Sequence, residues 1–228
     1  MKSSFRFIAV FVSLVSFLDI TLAQAGADEA VERNNQGVEL LKQGKTDEAI
    51  LPLLKAVELD PKNPDARLNL AFAYDRQGRI DEAIVQYEKA VELNPRNPTA
   101  RNNLGVLYDR TGRNEEAIRE FEKAMEIDPK NASGPKNLET AKKNQSAIQE
   151  RERQIAEALK NVESQPKDPR ASYTLARLYA AYGKKDQAIG WLEKALKLGF
   201  NDIGYLKVDS ALDSLRNEPD YVWLLRGR

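Results

Sequence analysis

The chain contains no cysteine and no histidine. Disulfides are therefore excluded, as are thiolate nucleophiles, serine–histidine–aspartate relays, and zinc sites built from thiolate or imidazole. Carboxylate chemistry is all that survives of the common catalytic repertoire. Aromatic residues make up only 7% of the sequence, which suits thin two-layer helical packing better than one large core. Charge of one sign is also missing. Lys plus Arg and Asp plus Glu each number 35, so no electrostatic footprint for nucleic acid or an anionic membrane is expected.

Long apolar runs are scarce too. The one candidate, Phe7–Leu18, follows a short basic start with Lys2 and Arg6 and precedes Asp19 and the small-residue site Ala23-Gln24-Ala25. This pattern reads as a secretory signal peptide over residues 1–25. The rival is an uncleaved anchor, but twelve residues fall short of the roughly 20 that a spanning helix needs. No cysteine follows for lipid attachment. The expectation is an exported chain, periplasmic or alternatively secreted, with no stable membrane insertion after cleavage.

What the sequence does have is a period. Residues 64–97, PDARLNLAFAYDRQGRIDEAIVQYEKAVELNPRN, recur in register at 98–131 and, less strictly, at 30–63. A thirty-four-residue period with a helix–turn–helix pattern inside it means a stacked repeat array. Numbering each unit from Ala30, Pro64 and Pro98, position 8 is small (Gly37, Ala71, Gly105) and position 20 is Ala49, Ala83 and Ala117. Position 24 is large (Leu53, Tyr87, Phe121), and position 27 is again alanine. Position 15 is Gly44, Gly78 and Gly112, where a left-handed residue ends the first helix. Position 32 is Pro61, Pro95 and Pro129, which ends the second.

Leu70-Ala71, Tyr74, Ala83, Tyr87, Ala90 and Pro95, with Leu104-Gly105, Tyr108, Ala117, Phe121, Ala124 and Pro129, make the chain resemble the tetratricopeptide repeat. The resemblance implies an all-α fold, a right-handed helical-repeat solenoid of stacked antiparallel helix pairs. Two departures stand out. Arg33, Arg67 and Arg101 occupy position 4, where the family has a large aromatic. The first unit has Gln36 and Leu40 where leucine and tyrosine are usual.

Past residue 131 the pattern degrades. Residues 132–167 read as either a degenerate helix pair, the preferred reading, or one long linking helix; position 15 is Ser146 and position 20 is Arg151. Order returns over 168–200, with Gly183 at the turn and Ala188, Leu192 and Ala195 on a second helix. The tail, 201–228, offers two short helical candidates. It resembles the segment that closes many bacterial arrays of this family, through Leu206, Leu212, Leu215-Arg216, Pro219, Tyr221 and Leu224-Leu225. Such a segment covers the last repeat's apolar face.

No catalytic, metal or cofactor site is expected. The acidic pairs Asp47-Glu48, Asp81-Glu82 and Glu115-Glu116 recur in the first turn of the second helix, where they complement the helix dipole. The chain reads as a non-enzyme whose partner is a protein or peptide; the oligomeric state is left open.

If positions 4, 7, 8 and 11 of each first helix pack inward, positions 2, 5, 6, 9 and 13 face away. Position 6 is then a ladder of Asn35, Asn69, Asn103 and, continuing the register, Asn137. Asparagine is a mediocre helix former, yet an exposed amide offers a donor and an acceptor to a peptide backbone. The resemblance implies the same use, since asparagine ladders hold extended peptides in some members. The alternative is that these amides only bond neighbouring helices. Leu68, Asn102, Val38, Phe72, Val106, Arg76 and Arg110 surround the ladder. The family's clamp for a C-terminal carboxylate needs Lys or Arg where this chain has Asn34, Val38, Thr99 and Asn103, so that mode is not expected. The working expectation is a scaffold that binds a segment in its concave groove. The alternative is an envelope assembly subunit using the convex face or the tail.

Overall fold

A computed structural model describes residues 24–130 and 133–226. The expected leader lies outside them except for its last two residues, which belong to the first helix. Among the described residues there is no strand, and no helix is long and apolar enough to cross a membrane.

The helices are α1 (24–42), α2 (Thr46–Leu59), α3 (Pro64–Arg76), α4 (Ile80–Leu93), α5 (Pro98–Arg110), α6 (Asn114–Ile127), α7 (Gly134–Ser164), α8 (Pro169–Ala181), α9 (Lys185–Lys197) and α10 (Ile203–Val208). A 3-10 turn (Ser210–Leu215) and α11 (Pro219–Arg226) complete the tail. The chain divides into two compact units at Lys143/Asn144, inside α7. Within each, antiparallel helix pairs stack: α3 on α4, α5 on α6, α8 on α9.

The Asn-Pro boundaries set where these helices begin. Asn63 accepts the Asp65 and Ala66 amides, Asn97 accepts the Ala100 amide, and Asp168 accepts the Arg170 amide. Proline follows each at the first helical position, where its missing N–H costs nothing. The first helices end on left-handed glycines, with φ of 77°, 75° and 77° at Gly44, Gly78 and Gly112, and 71° at Gly183.

Small-against-large pairing fixes how closely the two helices of a unit approach. A Cβ built on Gly37 would stand 2.4 Å from Leu53 Cγ, and one on Gly105 would stand 2.7 Å from a Phe121 ring carbon. Leu53, Tyr87 and Phe121 are almost wholly buried as a result, each contributing about 2–3 kcal/mol by leaving water.

The arginines at position 4 have a defined job. Arg67 Nε donates to the Pro61 carbonyl (2.8 Å) and its Nη1 to Gln86 (3.0 Å). Arg101 repeats the motif one unit on, donating to the Pro95 carbonyl (2.7 Å) and pairing with Glu120. Each guanidinium thus ties the last turn of the preceding unit to the second helix of its own. No such turn precedes Arg33 among the described residues, and Pro52 stands where the acceptor would be. Arg33 pairs instead with Glu29 at 3.2 Å, one turn back.

Residues 134–164 form one helix of 31 residues, against the preferred helix-pair reading. Serine at 146 does not reverse the chain, and no glycine or proline stands between Lys136 and Gln165. The polar stretch is also laced by same-helix bonds, from Arg153 to Glu150 and Glu157 and from Gln154 to Glu150, which favour continuous helix. Its first half serves the first unit, where Leu138 and Ala141 join the core and Lys142 meets Glu122 at 2.9 Å. Its second half serves the other, through Ile155, Ala158 and Val162.

The tail folds as three short elements rather than two. Leu206, Leu212 and Leu215 are fully buried, and the Tyr221 hydroxyl donates to the Leu206 carbonyl at 2.7 Å.

Candidate functional site

In the first unit, α1, α3, α5 and the start of α7 lie side by side, and the position-6 asparagines mark their shared face. Asn69 Nδ2 donates to Asn34 Oδ1 at 2.9 Å, and Asn137 Nδ2 donates to Asn102 Oδ1 at 3.2 Å. In both cases position 6 of one unit reaches position 5 of the unit before. Position 5 of the second unit is Leu68, which cannot accept. Asn103 therefore turns to the Tyr87 hydroxyl, 3.2 Å away. The order of Asn, Leu and Asn at position 5 thus decides which rungs pair with one another.

These bonds use one N–H of each of Asn69, Asn103 and Asn137. Each keeps its carbonyl oxygen and a second N–H. Because the amides are half-buried and already oriented, a passing main chain would meet them with little of their rotamer freedom left to lose. Asn35, on α1, is exposed.

Around the ladder the expected residues divide. Leu68 and Val106 lean into the core, whereas Val38 is half-buried and Phe72 stays 38% exposed. The Arg76 guanidinium lies 5.7 Å from the Phe72 ring centroid, so charge and aromatic surface sit together. Arg110 is not free: it pairs with Asp75 at 2.6 Å, joining α5 to α3. Tyr87 was expected only to fill space, yet it also anchors a rung. Burial pushes its hydroxyl far above the ordinary tyrosine range, and the bond from Asn103 offsets this only in part; it stays protonated at any ordinary pH.

In the second unit the same helix positions are occupied from within. Tyr173 and Arg177 are positions 5 and 9 of α8. The Tyr173 hydroxyl donates to the Asp209 carboxylate, and Arg177 Nε stands 2.7 Å from it as an ion pair. Asp209 also accepts the Ala211 amide and so starts the 3-10 turn. The Phe200 ring stacks on Tyr173 with centroids 4.3 Å apart. Position 6 is Thr174, whose hydroxyl donates to the Arg170 carbonyl of its own helix.

No cluster of acidic residues that could hold a metal ion occurs among the described residues. The acidic pairs lie in the first turns of α2, α4 and α6.

Models of the TPR repeat match residues 37–78 and 76–112, and tetratricopeptide repeat models match 98–131 and 148–212. Among curated proteins no relative matches. Among solved structures, the first TPR of Spaghetti (RPAP3) bound to the HSP90 peptide SRMEEVD is 29% identical, with 53% of this chain and 95% of that one covered and a TM-score of 0.51. The first TPR domain of human RPAP3 is 28% identical, over 54% and 98%, with a TM-score of 0.51. The Sgt2 TPR domain from Aspergillus fumigatus is similar in fold, at 22% identity over 54% and 82% and a TM-score of 0.50.

Proposed function

The chain belongs to the tetratricopeptide repeat family, and on that footing we propose that its first unit holds an extended segment of a partner protein. The segment would lie along α1, α3, α5 and the start of α7, in the concave groove. The observation that carries this reading is the set of pre-bonded amides. Asn69, Asn103 and Asn137 are tied down through one N–H each and keep an acceptor and a donor to offer. Phe72, Val38 and the stem of Arg76 supply apolar contact beside them. The apolar part is needed, since each net hydrogen bond contributes only about 0.5–1.5 kcal/mol.

The Spaghetti relative is bound to a peptide ending in Glu-Val-Asp. Such an acidic end does not suit this chain, because Asn34, Val38, Thr99 and Asn103 provide no cation for it. The leader pattern of residues 1–25 supports action after export, with the periplasm as the compartment. The role is that of a scaffold or adaptor, and no chemistry is assigned to it.

The test is to recover the partner by crosslinking in the native compartment and then measure its affinity for an Asn69→Ala/Asn103→Ala variant. Affinity should fall about tenfold or more, while helical circular dichroism stays unchanged. Full affinity in a folded double variant would rule out the groove.

A further inference from the structure

The second helices carry a feature that the groove does not use. On α2, residues 47, 51, 54 and 58 share one face, spaced i, i+4, i+7 and i+11. They are Asp47, Leu51, Leu54 and Glu58. Ile50 and Leu53 turn inward, but Leu51 is 75% exposed and Leu54 40%. One repeat on, Val85 holds the position of Leu51 on α4 and is 44% exposed, followed by Glu88 and Glu92. In the third repeat the same position is Arg119, and the apolar stripe stops.

Two further observations point to what the stripe receives. Acids bracket the leucines at both ends, and no base occupies the four positions of this face on either α2 or α4. Lys55 and Lys89 stand beside it, and Lys55 is bonded to Glu58 at 3.1 Å. Asp47 accepts the Gln77 amide at 2.7 Å, and Glu88 accepts the Tyr108 hydroxyl and lies 3.8 Å from Arg113, but Asp47 and Asp81 have no cation within ion-pair distance among the described residues. The second observation is Pro52, inside α2. It lacks the N–H that would close a helical bond to the Glu48 carbonyl, leaving a backbone acceptor next to Leu51.

A second copy of this chain fits poorly. Two α2 helices packed antiparallel about a two-fold axis would set Asp47 against Glu58 of the other copy, and packed parallel would set each acid against itself. We infer that the stripe of Leu51, Leu54 and Val85 docks an amphipathic helix from a partner protein, with leucine-type residues on its contact face and Lys or Arg flanking them. Such a partner would bury the leucines, pair with Asp47 and share Glu58 with Lys55.

The probes are two synthetic helical peptides with leucines at i, i+3, i+4 and i+7, one flanked by lysines and the other by glutamates. Anisotropy titrations with the full chain should show binding of the lysine peptide over the glutamate peptide. Leu51→Ser/Leu54→Ser should weaken the lysine peptide about tenfold or more, and both side chains are exposed enough for the fold to tolerate the change. Asp47→Lys/Glu58→Lys should reverse the preference, whereas Asn69→Ala/Asn103→Ala in the groove should leave it intact. The proposal is overturned if both peptides bind alike, if the serine variant binds the lysine peptide as tightly as the parent, or if the groove variant abolishes binding. It is also overturned if sedimentation shows a dimer that Leu51→Ser dissociates, since a second copy would then occupy the stripe.

Discussion

Positions 5 and 9 of the first helix do opposite things in the two units. In the first they are Asn34 and Val38, Leu68 and Phe72, Asn102 and Val106; Leu68 and Val106 lean into the core, and among the described residues no tail segment is bonded to the rest. In the second they are Tyr173 and Arg177, and the chain's own Asp209 sits on them. One repeat geometry thus leaves a face open in one place and carries the tail on it in another. The difference lies in side-chain chemistry. A tyrosine and an arginine hold a carboxylate fixed in the same chain, while amides and apolar groups stay indifferent to charge and keep the face open.

The largest expected break in this comparison is at Leu212, which is fully buried under the tail. Leu212→Ala should cost about 4 kcal/mol. By hydrogen exchange the loss of protection should appear in α8 and α9 and spare α3 to α6. Equal loss in both units would show that they unfold together and that the second is not separately closed.

Next comes the arginine tie within the first unit. The Arg101 and Glu120 side chains are 9% and 14% exposed, so Arg101→Ala leaves a nearly buried carboxylate with Lys123 alone, 3.6 Å away, and should cost about 2 kcal/mol. Arg33→Ala removes only a surface pair with Glu29, about 0.5 kcal/mol. Thermal melts of the two variants should separate clearly, and matching melting temperatures would refute the inter-repeat tie.

The smallest effect is a pH dependence centred on the second unit. Burial pushes the Asp209 carboxyl up, but the Tyr173 hydroxyl, the Ala211 amide and the Arg177 charge outweigh it and hold the group below its ordinary value near 3.8. A carboxylate lowered in the folded state contributes stability that is complete above its unfolded value and is lost as pH falls through the folded one. Acid below about pH 3.8 should therefore loosen the tail from α8, and Asp209→Asn should flatten that response in an acid titration followed by tyrosine fluorescence. Glu82 and Glu116 of the first unit are also held low, by their bonds to Arg79 and Arg113, but water screens them and their part is slight.

The period, the turn glycines and the Asn-Pro starts were legible because each is a local requirement of backbone or van der Waals space. The long α7 was legible as well, in the lack of any glycine or proline between Lys136 and Gln165. The ladder was visible as four asparagines, but not how they bond. Asn69 finds Asn34 while Asn103 finds Tyr87, and the choice depends on Leu68 standing one position away on a neighbouring helix. The Arg101–Glu120 tie and the Tyr173–Arg177–Asp209 cluster gave no linear signal, since their members come from different helices.

By itself, then, the sequence determined the repeat unit, its helix boundaries and the stacking of small against large, because these are properties of residues within one thirty-four-residue period. Only the tertiary structure decided which amides are tied and which atoms remain free, which arginines are buried, and which face the tail closes. Hydrogen bonds and ion pairs depend on separations of about 3 Å between side chains, and stacking alone brings residues thirty-five apart in the chain, such as Asn34 and Asn69, to that distance.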